Sequence, residues 1–419
     1  MKPLLDVPPT AAVDVAAVPP MTAPVDLRGE SVLLAMFSSL PEPPTQNAIL
    51  MLKRCFGRVV FLRNNMTFPA DFYLDTPELK EIGAPCPSQV SRSKSALWKM
   101  ARFARYAFAL RRELARGTYR LVILHDYLAL LAFSLVRQSA GYRGLAWFNS
   151  YDAIDLEKTP PGRFSLQRLV VARHERLFAE LDFFSLPTAE RKPYYPLQRV
   201  KREVFVIPNY PAVNYYQRFH GPHRAAPETV VRLIYMGALG RGHGFEELIR
   251  LLAAPVAGRT LHLVLKGWID PDYRLALTAL AAQCGVSERL QFPGFGPYPQ
   301  VAELAAGCTV GLALFTGTDI MNRTLGTASN KIYEYAAVGL PVMLFDTPYF
   351  RSHFERRGWA FFTDLSESSL RETIAAILSR YAEAAAAAVQ DFRREFNYEN
   401  VFTPALRSVV NALAEPSHA

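Results

Sequence analysis

The chain has 419 residues, half of them hydrophobic and 12% aromatic, which is enough for two domains with ordinary cores. Its formal net charge of +9 points to anionic partners such as nucleotide, phosphate or a membrane surface. No run of about 18 apolar residues is present, so no bilayer span is expected. The four cysteines (Cys55, Cys86, Cys284 and Cys308) form no CxxC pair and no HExxH pattern exists, which disfavours a disulfide framework or a zinc site. Reduced thiols and a cytoplasmic location are the plain reading.

Residues 1–28 carry six prolines and many alanines without a continuous apolar stretch, and read as a flexible tail rather than a signal peptide. Apolar runs then predict strands at 31–37 and 58–62.

The segment 92–120 holds nine basic residues and one acid, Glu113. Helical spacing places Leu97, Met100, Ala104, Ala107 and Phe108 on one side, with Arg102, Arg105, Arg112 and Arg116 toward the other. Two readings stand: a domain helix with a solvated basic face, or a surface that docks on anionic lipid or a lipid-diphosphate acceptor. Nucleic-acid binding is not expected, because no recognised fold motif accompanies the charge.

Further strands are predicted at 120–125, 144–149 and 182–187. His125 and Asp152 fall at or just beyond two of these strand ends, where ligands gather in open α/β folds. Either is placed to meet an acceptor hydroxyl, and either also has an ordinary structural reading.

The proline- and glycine-containing stretch 207–228 reads as a linker. A second strand series follows at 230–236, 261–266, 289–294, 309–315 and 341–345. Strands separated by helix-length segments imply βαβ units, hence an α/β fold with two doubly wound, Rossmann-like domains.

The turn GALGRGHG, from Gly237, follows a strand and opens a helix, so its amides can approach phosphate. It is neither a P-loop nor a dinucleotide fingerprint, since the next strand ends in Lys266 and not in an acid. Asp270, Pro271 and Asp272 read as the N-cap and first turn of a helix, with no metal expected.

The stretch TASNKIYEYAAVGLPV begins a helix with Ser329 or Asn330 as the cap, and Gly339 and Pro341 end it. Glu334 is misplaced for a capping box, and a surface pair with Lys331 would contribute only about 0.2–0.5 kcal/mol. The surroundings are apolar. A bound nucleotide explains both residues: the helix N-terminus and Lys331 face a diphosphate, and Glu334, one turn further in, accepts from a ribose.

NKIYEYAAVGLPV resembles the donor-site signature of GT-B-fold glycosyltransferases of the family 4-like group. GALGRGHGFEELI, LHLVLKGW, RLQFPGFGPYPQVAELAAGCTVGLAL, VIPNYP and FNYEN resemble further segments of that family in the same order. The resemblance covers residues 230–410 well and 120–212 more loosely. It implies a tail at 1–28, an N-terminal acceptor domain at 29–212, a donor domain at 213–395, and a C-terminal helix at 396–419 crossing back to the first domain. A sugar would pass from a UDP- or GDP-sugar to a saccharide or lipid-linked acceptor in the cleft, with retention and without metal or other cofactor. Bacterial polysaccharide or glycoconjugate synthesis on the inner face of the cell membrane is the setting it implies.

By the same resemblance, Glu334 holds the ribose. Gly240, Arg241, Gly242, His243, Lys266, Asn330 and Lys331 support the diphosphate, Phe295 and Tyr298 flank the base, and the segment with Asn322 and Thr324 covers the donor sugar. Asp152, His125 and Lys266 are the catalytic candidates. Two features depart from the family pattern. Gly326 stands where many relatives carry a first glutamate, and Ala238 and His243 stand where many carry Arg and Lys. A non-catalytic nucleotide-sugar or carbohydrate binder, or an epimerase of the same fold, remains the alternative.

Overall fold

Two all-parallel sheets account for both strand series in a computed structural model, which describes residues 27–38, 43–65, 75–84, 96–151, 165–220, 225–317, 322 and 324–415. The first sheet contains β1 (Leu27–Met36), β2 (Phe56–Asn64), β3 (Glu78–Ile82), β4 (Tyr119–Leu124), β5 (Leu145–Asn149), β6 (Phe183–Leu186) and β7 (Glu203–Val206), in the order β3-β2-β1-β4-β5-β6-β7. The second contains β8 (Val230–Met236), β9 (Thr260–Lys266), β10 (Leu290–Gln291), β11 (Val310–Ala313), β12 (Val342–Phe345) and β13 (Ala360–Thr363), in the order β10-β9-β8-β11-β12-β13.

Helices cover both faces of each sheet, which is why the central strands are nearly continuous apolar runs. Val32 to Ala35 and Leu121 to Leu124 are buried on both sides, as are Leu233 to Met236. The strand order reverses between β1 and β4 in one sheet and between β8 and β11 in the other. In open α/β sheets such reversals open a crevice at the carboxyl ends of the strands.

Three strands escape the sequence reading: β3, β7 and β13. All three are edge strands. An edge strand need not bury both faces, and β3, with the sequence ELKEI, has no fully buried residue.

The segment 207–220 is not an exposed linker. Ile207, Tyr210, Ala212, Val213, Tyr215 and Tyr216 are buried, and from Tyr210 onward these side chains join the core of the second sheet. The chain crosses between the domains a second time at Phe396–Glu399, and the two crossings touch. Val213 N donates to both carboxylate oxygens of Glu399, at 3.1 and 3.0 Å, and Tyr398 N donates to Pro211 O at 3.1 Å. The helix Tyr398–Ala414 then lies on the first sheet, with Phe402 stacked on Trp147 at 5.4 Å between ring centroids.

The basic helix spans Ala96–Leu114 and corrects the expected apolar face. Phe103, Tyr106, Leu110 and Leu114 form the buried side, whereas Leu97 is 82% and Phe108 66% exposed, and Met100 is exposed with them. The outer surface therefore mixes apolar side chains with Lys99, Arg105, Arg111 and Arg112. No helix among the described residues is long and apolar enough to cross a membrane.

Candidate active site

The helix Asn330–Ala337 starts beside the β8/β11 reversal. Ser329 caps it, with Oγ accepting from Ile332 N at 3.4 Å. Tyr335 fastens the helix to β8: its hydroxyl donates to Ile234 O and accepts from Met236 N, both at 3.0 Å. The amino end is thereby held over the glycine turn that follows β8.

Lys331 reaches into that turn. Its Nζ donates to Tyr235 Oη at 2.7 Å and sits 3.8 Å from the centre of the Tyr235 ring and 4.7 Å from that of Phe315. No carboxylate lies within ion-pair distance of it among the described residues. Burial pulls the Lys331 ammonium down to about 7, against the attraction of Glu334. Gly237, at φ +121°, makes room for the amine, since a β-carbon there would lie 3.1 Å from Nζ.

Glu334 is buried one turn further in. It accepts a hydrogen bond from Tyr298 Oη, and that hydroxyl contacts Tyr216 Oη at 2.7 Å. Burial pushes the Glu334 carboxyl up to about 7, opposed by the Tyr298 bond and by Lys331. An acid and a base thus stand at neighbouring positions of one buried wall, each bonded to tyrosine and not to the other.

His243 packs between Tyr235 and Phe315, and burial followed by the nearby Lys331 charge lowers it to about 4. Gly240 N donates to Nδ1 at 3.3 Å, so the proton of the neutral ring resides on Nε2, which faces Tyr235 Oη at 3.3 Å. His243 is therefore a neutral spacer that keeps Tyr235 under Lys331. Gly242 is held by Thr316, whose N and Oγ1 donate to its carbonyl at 3.1 and 2.8 Å. Arg241 turns toward Glu246, 3.8 Å away, and over the Tyr273 ring at 4.6 Å, and so does not join this group.

Lys266 is more deeply buried than Lys331, only 4% exposed. It lies at a different loop. A β-carbon on Gly296 would be 3.0 Å from Lys266 Nζ and 2.7 Å from Gln300 Oε1. Phe295, beside it, is 59% exposed. Asn330 Oδ1 is buried without a partner, and Asn322 is partly buried.

Across the cleft, His125 ends β4 and is fully enclosed. Its Nδ1 meets Tyr151 Oη at 2.9 Å, and its Nε2 is buried without a partner. Burial lowers the ring to about 3, so it is neutral. Arg191, also buried, links the domains: Nη1 donates to Tyr151 O at 2.7 Å and Nε to Thr324 Oγ1 at 3.1 Å. Asp152 lies outside the described residues.

Gly326 has no room for a side chain, because a β-carbon would be 2.6 Å from Tyr349 Oη and 2.9 Å from His353 Nε2. His353 Nε2 in turn bonds Glu190 Oε1 of the first domain at 2.9 Å. The place expected for a first glutamate is thus filled by Tyr349 and His353. Asp270 is an N-cap, its Oδ1 accepting from Asp272 N at 3.1 Å and Tyr273 N at 3.3 Å. No group of three or more His, Cys, Asp or Glu among the described residues is placed to hold a metal.

The model of the family "Glycosyl transferases group 1" matches residues 219–393, the stretch that carries this wall. The whole chain has the GT-B glycosyltransferase fold. The chain is similar in structure to a sucrose-phosphate synthase from Thermosynechococcus elongatus, with TM-score 0.62 and 14% identity over 92% of this chain and 99% of that one. It is similar to Anabaena HepE in complex with UDP and glucose, with TM-score 0.61 and 16% identity over 91% and 100%. A third is WaaG, a glycosyltransferase involved in lipopolysaccharide biosynthesis, with TM-score 0.59 and 15% identity over 90% and 99%. No curated protein sequence matches.

Tyr235, Tyr216, Tyr151 and Arg191 form much of this candidate site and escape the sequence reading. Each acts through a partner distant in sequence, so no local spacing marks it. Tyr235 alone has a signal, as the aromatic that closes a strand just before the glycine turn.

Proposed function

We propose that the protein transfers a sugar from a UDP- or GDP-sugar to a hydroxyl of a saccharide or lipid-linked acceptor, with retention, in bacterial polysaccharide or glycoconjugate synthesis. One observation carries the reading: a half-buried cation without a counter-ion at the amino end of the Asn330–Ala337 helix, with a buried carboxylate one turn behind it. The bond from the anomeric carbon to the departing diphosphate breaks as the acceptor oxygen attacks. Negative charge then grows on the diphosphate, where Lys331, Asn330, the helix amides and the turn at Gly240 and Gly242 stabilise it. Glu334 accepts from the ribose hydroxyls in place of Tyr298, and Thr324 and Asn322 stand over the donor sugar. HepE, whose complex contains UDP and glucose, supports a uridine donor.

Acceptor-triggered release of free nucleotide tests the transfer. Turnover without an acceptor would favour an epimerase, and donor binding without turnover a non-catalytic relative, the reading that the altered turn at Ala238 and His243 favours.

On the acceptor side, His125 is the candidate for contact with the incoming hydroxyl, and Asp152 is carried over from the sequence as a second candidate. His125→Ala is expected to lower kcat by about 10²-fold, the lower end for a lost proton-transfer group, with donor Kd unchanged. Steady-state rates and calorimetry check this. An equal loss of donor affinity would make His125 a packing residue.

The surface of the Ala96–Leu114 helix supports peripheral binding to an anionic membrane. The exposed Leu97, Met100 and Phe108 would enter the interface while the arginines meet the headgroups, each basic residue adding about 1 kcal/mol. Vesicles containing phosphatidylglycerol are expected to bind the protein at low salt, and vesicles of neutral lipid are not. Binding that survives Leu97→Ser with Phe108→Ser and Arg105→Gln with Arg112→Gln would place the contact elsewhere.

A further inference from the structure

Two lysines of the donor domain, the half-buried Lys331 and the buried Lys266, serve different ends of one ligand. Lys331 is fixed at Gly237, in the turn after β8, at the amino end of the helix. Lys266 is fixed at Gly296, in the loop after β10. Glu334, one turn from Lys331 on the same helix, is tied to that same loop through Tyr298. A ribose held by Glu334 has its diphosphate on one side, at C5′, and its base on the other, at C1′. Since Lys331 marks the diphosphate side, the loop Gly294–Tyr298 marks the base side.

Lys266 is an unusual occupant of that position. It is 4% exposed and makes no hydrogen bond or ion pair to any described residue through its amine. Burial lowers its affinity for its proton, and no neighbouring charge offsets this. A buried cation without a partner costs stability, and a neutral side chain of similar length would avoid that cost. A hydrogen-bond acceptor on a bound ligand would satisfy its donors.

We infer that Lys266 selects the nucleobase, donating to the exocyclic carbonyl oxygen of a keto base, O4 of uracil or O6 of guanine. The inference rests on the donor-site reading above and replaces the diphosphate and catalytic roles expected for this residue. Cytosine and adenine present an amino group at the corresponding position. Their N–H donors would face the ammonium, leaving both sets of donors unsatisfied in a buried site.

The test is calorimetric binding of UDP, CDP, GDP and ADP to the intact protein, its Lys266→Met and its Lys266→Gln variants. Within at least one keto/amino pair (UDP against CDP, or GDP against ADP), the wild type is expected to prefer the keto base by about tenfold or more. In both variants the preference is expected to shrink to about threefold or less, through weaker binding of the keto nucleotide alone. Thermal unfolding without ligand is expected to show both variants folded and no less stable, because the buried charge is gone. Equal weakening of all four nucleotides would place Lys266 on the diphosphate and overturn the inference while sparing the donor site. A wild type that does not discriminate, or that prefers CDP and ADP, would overturn it too. Failure of the wild type to bind any of the four would instead remove the donor-site reading, and this inference with it.

Discussion

Replacing Lys331 with methionine is expected to lower kcat/KM by about 10²–10³-fold, the range for losing one preorganised group that meets charge developing on a leaving group. The side chain is set between the Tyr235 and Phe315 rings at 3.8 and 4.7 Å, so methionine fills the same space without charge. Steady-state kinetics with saturating acceptor check the magnitude, and an effect under about threefold would remove Lys331 from the transition state.

The same variant has a signature in the empty protein. Lys331 is lowered to about 7 from its ordinary 10.5, so between these values the unfolded chain binds more protons than the folded one. Stability is therefore expected to rise with pH across that window. Glu334 has the opposite sign. Its carboxyl is raised to about 7 from 4.5, the folded state binds more protons between these values, and stability falls as pH rises through them. Together they give the empty protein a minimum near pH 7, seen as a dip in Tm against pH. Lys331→Met should lose the alkaline limb and keep the acidic one.

Glu334→Ala is expected to weaken nucleotide-sugar binding by about 1.5–3 kcal/mol, or about 10–150-fold, the range for hydrogen bonds to a charged group. The carboxylate already accepts from Tyr298 in the empty site, so it is oriented before the ribose arrives. Removing it strands the ribose hydroxyls among tyrosines. Calorimetry with a UDP-sugar measures the loss, and unchanged affinity would refute the ribose role. The ligand-free Tm is the control for folding.

Much of this architecture was legible in the primary structure because parallel strands buried on both faces must be written as apolar runs. The strands that escaped, β3, β7 and β13, are those on which that demand is relaxed. Glu334 was legible as an acid with no local use in apolar surroundings. Its partners were not, since Tyr216 and Tyr298 come from segments with no fixed spacing to it. Leu97, Met100 and Phe108 were legible as one side of the Ala96–Leu114 helix, but periodicity alone could not say that this side faces outward while Phe103, Tyr106, Leu110 and Leu114 are buried. Lys266 was visible as a cation at a strand end, but only the Gly296 contact separates it from Lys331.

The paired crossings at Val213 and Glu399 have a mechanical corollary. Two covalent tethers at a single corner, joined by a carboxylate that grips one amide, leave the lobes little freedom to slide and favour swinging like a book about its spine. The pages meet through a few polar clasps: Arg191 to Thr324, Thr327 to the carbonyl of Pro187, and Glu190 to His353. Each opening must undo all three, so the frequency with which the book opens is set by Arg191, Thr327, Glu190 and His353 as much as by residues that meet the donor.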